Sequence, residues 1–109
     1  MTLAPYQEEA IPDEPLELLR GMLEEQFVVQ TNQLTALVIY GRLPRHGGHD
    51  PRTLDVLAAS VRQSIADTAH ALRRMSEGTY GLCEDCRRPI PLGRLRTVPH
   101  ARRCARCPR

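Results

Sequence analysis

Residues 78–109 read GTYGLCEDCRRPIPLGRLRTVPHARRCARCPR and contain all four cysteines of the chain. The cysteines form two Cys-x-x-Cys pairs, Cys83 with Cys86 and Cys104 with Cys107, and seventeen residues separate the pairs. A two-residue spacer on a tight turn lets both sulfurs reach one metal ion at ~2.3 Å, and two such turns close a tetrahedron. The spacing therefore predicts one structural Zn(2+) ion held by the four cysteines.

Other uses of paired cysteines remain open from the residues alone: a redox dithiol, an iron–sulfur centre or two disulfide bonds. No strand–helix–strand pattern accompanies either pair, which argues against a thioredoxin-like dithiol. His100 lies four residues before Cys104, but with four cysteines present we expect it at the surface and not as a ligand. Since four thiolates leave no position for water, the predicted zinc is structural and the chain is predicted not to be an enzyme.

The residues ahead of the cysteines predict a mainly α fold, an antiparallel two-helix coiled-coil hairpin followed by a small four-cysteine zinc globule. We expect a flexible leader over 1–13, a hairpin over 14–77 and a zinc finger over 78–109. Within the hairpin, helices are predicted at about 14–43 and 52–76, joined by a proline- and glycine-rich tip loop at 44–51. The predicted seam of the second helix consists of Leu54, Leu57, Val61, Ile65, Thr68, Leu72 and Met75.

Composition limits how this fold can be stabilised and where it works. With one Phe, three Tyr and no Trp, the chain predicts a thin aliphatic seam between helices and not a thick globular core. No segment resembles a signal peptide, and the longest mostly apolar window is too short to cross a bilayer. We therefore expect a cytoplasmic, monomeric protein without membrane contact, in a reducing compartment that disfavours disulfides.

Charge is distributed unevenly along the chain. Residues 1–25 carry seven acids against Arg20, whereas residues 87–109 carry eight arginines and no acid. This asymmetry favours an oriented encounter with a partner of mixed charge. The arginines predict a basic, partner-binding face on the zinc finger, which would meet phosphates or an acidic protein surface: Arg87, Arg88, Arg94, Arg96, Arg102, Arg103 and Arg106.

Residues 71–107 resemble the zinc-finger signature of the DksA/TraR family of bacterial RNA polymerase-binding regulators. The resemblance rests on the helix end at Ala71-Leu72, the junction Gly78-Thr79-Tyr80-Gly81, both cysteine pairs, Pro89-Ile90, Arg94-Leu95 and Pro99. It covers about a third of the chain, and the predicted hairpin agrees with the family in architecture. The resemblance implies a protein whose zinc globule docks at the rim of the polymerase secondary channel while the hairpin tip points inward.

The predicted tip loop departs from the family pattern. Fully active members carry an Asp-Pro-x-Asp tip, whereas this chain reads Asp50-Pro51-Arg52-Thr53, with Asp55 two residues later. Asp50 and Asp55 are accordingly the candidate partner-binding residues of the tip. The alternative is that Asp50 only forms the turn and Asp55 only complements the helix dipole.

The resemblance also bears on nucleotide regulation. The family's alarmone site uses three basic residues, and the matching positions here hold Asp67, Val98 and Pro108. Because none of the three supplies a positive charge for phosphate, we do not expect binding of ppGpp through this protein.

These observations lead to one functional expectation and two alternatives. We expect a non-enzymatic transcription regulator that binds RNA polymerase, core or holoenzyme. The first alternative is an arginine-rich zinc-finger protein that binds nucleic acid directly. Base-specific reading of DNA is not favoured, because prolines break any long helix between the cysteine pairs. The second alternative is an interaction module that pairs through its helix stripe.

Overall fold

The computed structural model describes residues 11–107, so residues 1–10 of the predicted leader lie outside the described residues. Helix α1 spans Asp13–Arg42, a short 3-10 turn spans Pro44–Gly48, α2 spans Pro51–Glu77 and a six-residue helix, α3, spans Leu92–Thr97. The two long helices pack together and the four-cysteine region follows them, which confirms the predicted fold class. The molecule is a rod of 67 × 29 × 21 Å.

Local sequence signals explain where α2 begins and ends. Asp50 caps its first turn by accepting a 3.0 Å hydrogen bond from the Thr53 backbone N–H, and Pro51 occupies the first helical position. At the other end Gly78 has a φ of +80°, and its N–H donates to the carbonyls of Arg74 and Met75. This left-handed cap ends the helix and directs the chain into the zinc finger.

The core lies at the base of the rod, where the hairpin meets the zinc finger. Leu19 and Leu23 of α1 are almost completely buried against Ala71 and Met75 of α2. The same cluster continues into the finger through Tyr80, Cys83, Ile90, Leu95, Ala101 and Cys104. Because the core is shared, the finger and the hairpin base depend on each other for burial of apolar surface.

Above this base the helix seam is thinner and partly polar. Thr68 is fully buried, and its hydroxyl donates a 2.9 Å hydrogen bond to the Gln30 side chain across the seam. Leu54 is buried near the tip, but Leu57 remains 46% exposed, although the predicted stripe of α2 includes it. The predicted stripe therefore packs against α1 only in part.

The hairpin tip is a tight left-handed turn. Arg45, His46 and Gly47 have φ values of 54°, 55° and 61°. His46 Nδ1 donates to the Gly41 carbonyl at 3.2 Å, and the Tyr40 and His49 rings lie 4.5 Å apart. Within residues 11–107, neither long helix contains an apolar stretch of the length that crossing a bilayer requires.

Candidate metal centre

The first cysteine pair lies on a turn that the backbone builds around Cys83. An isolated antiparallel bridge joins Leu82 to Pro89, and the Cys83 N–H donates to the Arg88 carbonyl at 2.8 Å. Arg87 adopts a φ of +66°, and its N–H donates to the Cys83 carbonyl at 2.9 Å. The turn therefore bends sharply enough for both sulfurs of the pair to face one point.

The second cysteine pair is brought to the first by a backbone hydrogen bond between the two segments. The Glu84 N–H donates to the Arg102 carbonyl at 2.8 Å, and the Cys107 N–H closes a turn on the Cys104 carbonyl at 3.3 Å. Cys83 and Cys104 are buried, Cys107 is half-buried and Cys86 is exposed. The site thus lies at the surface of the finger with one side in the core.

The four Sγ atoms all lie within 4.8 Å of one another. The separations are 3.4 Å for Cys83 and Cys107, 3.7 Å for Cys86 and Cys104, and 3.5 Å for Cys104 and Cys107. Four sulfurs placed tetrahedrally at ~2.3 Å from a zinc ion are about 3.8 Å apart, so the arrangement fits the metal. A disulfide needs about 2.05 Å, and these sulfurs are not bonded to one another. The predicted zinc site of four cysteines is therefore confirmed.

The protein environment prepares the sulfurs unequally for metal binding. Backbone N–H groups, first that of Cys86, lower the pKa of Cys83 to about 6. The pKa of Cys104 is also lowered, with a hydrogen bond from the Cys107 thiol as the main cause, whereas that of Cys107 is raised mainly by its contact with Cys83. Because zinc binds thiolates, the lowered pKa values of Cys83 and Cys104 favour the form of these two side chains that binds the metal.

Arg74, which no motif in the sequence marks as functional, connects the end of α2 to this finger. It is 8% exposed, and its Nη2 donates at 2.7 Å to the carbonyls of both Thr79 and Leu82. Its Nη1 lies 3.8 Å from the Glu84 carboxylate. An arginine near a helix end is a common surface residue, so only the position of the junction loop reveals this role.

Glu84, inside the first cysteine pair, contacts α2 through a second residue as well. His70 Nε2 lies 2.5 Å from Glu84 Oε2. Burial acts to raise the pKa of Glu84, but the hydrogen bond and the charges of His70 and Arg74 outweigh burial and lower it. The carboxylate is therefore held ionised between α2 and the metal site.

The predicted basic face divides into paired and exposed arginines. Arg102 lies 3.1 Å from the Asp67 carboxylate, and Arg103 lies 2.8 Å from that of Asp85. Arg94 is exposed, but its Nε donates to the Arg103 carbonyl at 3.3 Å. Four further members of the predicted face are exposed, and the structure gives them no ion pair among the described residues: Arg87, Arg88, Arg96 and Arg106.

The two acidic residues at the tip differ in position and in the contacts that their carboxylates make. Asp50 accepts hydrogen bonds from both the backbone N–H and the hydroxyl of Thr53, at 3.0 and 3.2 Å, as the cap of α2. Asp55 is exposed one turn further along α2. The structure therefore places a capping carboxylate and a free carboxylate at the tip and does not bring the two together in one cluster.

A surface groove between α2 and the finger contains two of the three positions that the resemblance matched to basic residues of an alarmone site. Asp67 and Val98 both line it, and Asp67 is occupied by its ion pair with Arg102. His100 lines the same groove, is half-buried and is not among the four clustered metal ligands. Its Nδ1 has no hydrogen-bond partner among residues 11–107.

Comparison with known proteins finds a family model that matches the finger. Residues 78–108 match the model of the prokaryotic dksA/traR C4-type zinc finger. The chain is 39% identical over 54 residues to an uncharacterized protein of Aquifex aeolicus, which is 50% of this chain and 37% of that protein. It is 44% identical over 41 residues to general stress protein 16O of Bacillus subtilis, which is 38% of this chain and 25% of the relative.

A third relative is the uncharacterized protein YlyA of Bacillus subtilis, 38% identical over 42 residues, which covers 38% of this chain and 34% of that protein. The chain thus matches between a quarter and two fifths of the length of these relatives. No solved structure matches it.

Proposed function

We propose that this chain, which carries a DksA/TraR C4-type zinc finger at residues 78–108, is a cytoplasmic transcription regulator that binds RNA polymerase without catalysing a reaction. The observation that carries the proposal is the attachment of this finger to the end of a helical hairpin through a shared core and through Arg74. The finger would dock on the polymerase, and the hairpin would present its tip to the secondary channel.

The shape of the molecule supports this proposal. The rod is 67 Å long but only 29 × 21 Å across, and its core and metal site are both at one end. The zinc finger at the base fixes the direction of the helical hairpin, because α2 runs directly into the capped junction at Gly78. The tip can therefore reach into a narrow channel while the base remains outside.

The charges of the tip and the base suggest how each would act. Asp55 supplies a free carboxylate at the tip, while Asp50 uses its carboxylate to cap α2. At the base, the exposed arginines of the finger would meet acidic groups on the polymerase surface. We propose Asp55, with Asp50, as the partner-binding tip and the finger arginines as the docking face.

Direct binding of nucleic acid remains the alternative function, but the structure supports it less. Arg102 and Arg103 each pair with a carboxylate of the chain itself, which reduces the positive charge offered to phosphates. The six-residue α3 is too short to serve as a recognition helix in a major groove. Binding through the exposed arginines would be independent of sequence and would weaken steeply with salt.

The test measures binding of the zinc-loaded full chain to purified core RNA polymerase and its effect on abortive initiation. A Cys83→Ser/Cys86→Ser variant should lose binding because the docking base is no longer held together. Asp50→Asn and Asp55→Asn should keep binding and lose the effect on initiation, since asparagine caps a helix about as well as aspartate but carries no charge. Glu24→Gln, which removes an exposed charge of α1 away from the tip, is the matched control and should behave as wild type.

Absence of wild-type binding to polymerase would overturn the proposal. Binding to any DNA duplex without polymerase, lost as salt rises, would favour the nucleic-acid alternative. Unchanged initiation with both tip variants would show that the protein occupies the polymerase without using its acidic tip.

A further inference from the structure

Helix α1 carries a second apolar stripe that does not face α2. Leu18, Met22, Val29, Ala36 and Ile39 are all exposed, with exposed fractions of 64% for Leu18, 49% for Val29 and 53% for Ile39. Glu25 and Asn32 occupy the two polar positions between them. We call these seven residues the outer stripe.

The outer stripe has the spacing of a coiled-coil seam. Starting from Leu18, its members follow one another at intervals of four, three, four, three, four and three residues, which is the a/d alternation of a heptad. At 1.5 Å per residue the stripe is about 32 Å long. The inner stripe of α1, with Leu19 and Leu23, is already covered by α2, so the outer stripe is a second and unoccupied helix-packing face.

Charge distribution identifies an antiparallel second copy of α1 as the occupant. Residues 13–25 carry five acids and one arginine, whereas residues 26–49 carry two arginines and no acid. A parallel copy would place the two acidic segments side by side, which is unfavourable. An antiparallel copy places the acidic half of each helix beside the basic half of the other.

One antiparallel register suits the individual residues. It places Met22 opposite the partner's Ile39, and Val29 opposite the partner's Asn32. Glu25 then lies opposite the small Ala36 of the partner, which leaves its carboxylate room to reach water. Asn32 of each copy falls next to the twofold axis, and a single polar residue in a helix seam specifies register at some cost in stability.

We propose that the chain forms an antiparallel homodimer through the outer stripe of α1. The proposal does not rest on the polymerase proposal. The dimer and the polymerase-bound monomer exclude each other sterically, because the dimer places each tip beside the partner's α1 base. A single pair of helices buries a small interface, so the dimer should dissociate in the micromolar range. Dimerisation would then withhold the tip from a narrow channel at high protein concentration.

The first test is sedimentation equilibrium of the zinc-loaded full chain from low to high micromolar concentrations. Val29→Glu should raise the dissociation constant by at least about tenfold, because an unpaired carboxylate would be buried in the seam. Val28→Glu is the matched control: Val28 is also exposed, at 58%, but lies outside the outer stripe. It should leave the dissociation constant within about twofold of wild type.

The second test fixes orientation and register with a charge swap between Met22 and Ile39. Met22→Glu alone and Ile39→Lys alone should each be monomeric, since each places a charge opposite an apolar residue at both ends of the dimer. Mixed in equal amounts, the two variants should form a heterodimer. At one end the carboxylate introduced by Met22→Glu meets the ammonium introduced by Ile39→Lys, and at the other end the native pair of Met22 and Ile39 is restored. A parallel dimer would show no rescue, because it places equivalent positions of the two copies opposite each other.

A monomeric wild type at the highest concentration would overturn the proposal. Equal weakening by Val28→Glu and Val29→Glu, or failure of the mixed variants to associate, would overturn the outer stripe as the interface. Circular dichroism of each variant checks that α1 and α2 remain helical. Since none of these measurements uses polymerase, their outcome is independent of the polymerase test.

Discussion

Replacing Arg74 by alanine should uncouple the hairpin from the zinc finger without removing the metal. Arg74 is 8% exposed, and its guanidinium donates two 2.7 Å hydrogen bonds, to the carbonyls of Thr79 and Leu82. These carbonyls belong to the short segment that connects α2 to Cys83. Loss of the guanidinium should therefore loosen the angle between rod and finger.

The size of the effect follows from these contacts. A hydrogen bond to a charged group contributes about 1.5–3 kcal/mol. The Thr79 carbonyl can recover water because Thr79 is exposed, whereas Leu82 is half-buried and its carbonyl would be left without a donor. Counting both contacts at the lower end of this range gives a loss of about 3 kcal/mol in the free energy of unfolding. For a domain of this size that corresponds to a fall of roughly 10–20 °C in Tm.

The assay is thermal and urea-induced unfolding of the zinc-loaded protein followed by circular dichroism, with zinc content measured in parallel. Arg73→Ala is the matched control, because Arg73 is the exposed neighbour and makes only a 3.4 Å contact with His70. It should cost about 0.5 kcal/mol or less. Arg74→Ala should retain one zinc ion per chain, because the guanidinium hydrogen bonds of Arg74 go to Thr79 and Leu82 and not to any of the four cysteines.

A loss below about 1 kcal/mol, or equal losses for Arg73→Ala and Arg74→Ala, would refute the reasoning. Loss of zinc from Arg74→Ala at neutral pH would also refute it, because the arginine would then be supporting the metal site itself and not the junction.

Three further outcomes are expected. Gly81→Ala should destabilise the protein by about 2 kcal/mol in urea unfolding, because Gly81 has a φ of +91° and a Cβ would come within 2.7 Å of the flexible Ile11 Cδ1. The control Gly21→Ala, in α1 with open space around it, should instead stabilise the protein by about 0.5–1 kcal/mol. A change of the same sign in both variants would contradict this prediction. Burial raises the pKa of Tyr80 to about 12, above the ordinary tyrosine pKa of 10. The contribution of Tyr80 to stability is therefore fully present below pH 10 and is lost as pH rises through about 12. Tyrosinate absorbance of wild type and Tyr80→Phe measures this, and ionisation of Tyr80 near pH 10 would contradict it. Stripping the metal with a chelator should release one zinc ion per chain and abolish cooperative thermal unfolding of the base, whereas a different ratio, or an unchanged Tm, would contradict a structural zinc site.

The zinc site was predictable because its ligands occur as pairs of cysteines with a short, fixed spacing in the sequence. Two residues between cysteines fix the reach of each pair, and the fold only had to bring Cys83 and Cys86 to Cys104 and Cys107. The mainly α fold was predictable for a similar reason, since proline, glycine and capping residues at Asp50, Pro51 and Gly78 punctuate the chain where helices begin and end.

Periodicity was a poorer guide to which apolar residues are covered. Leu57 fits the α2 stripe but is 46% exposed, and Leu18 and Val29 of α1 form a regular stripe that α2 does not cover. A repeat of three and four residues identifies a face that can pack against a helix, but it does not say which helix covers that face. That depends on how the two helices are rotated about their axes.

The sequence by itself determined the metal ligands, the two long helices and the polarity of charge from an acidic start to a basic end, because each depends on residues close together in the chain. The tertiary structure alone decided which charges are free. It buried Arg74 in the junction, paired Arg102 with Asp67 and Arg103 with Asp85, and placed His70 against Glu84. The physical reason is that an ion pair or a buried donor requires two groups from distant parts of the chain to meet, and only the packing of the finger on α2 brings them together.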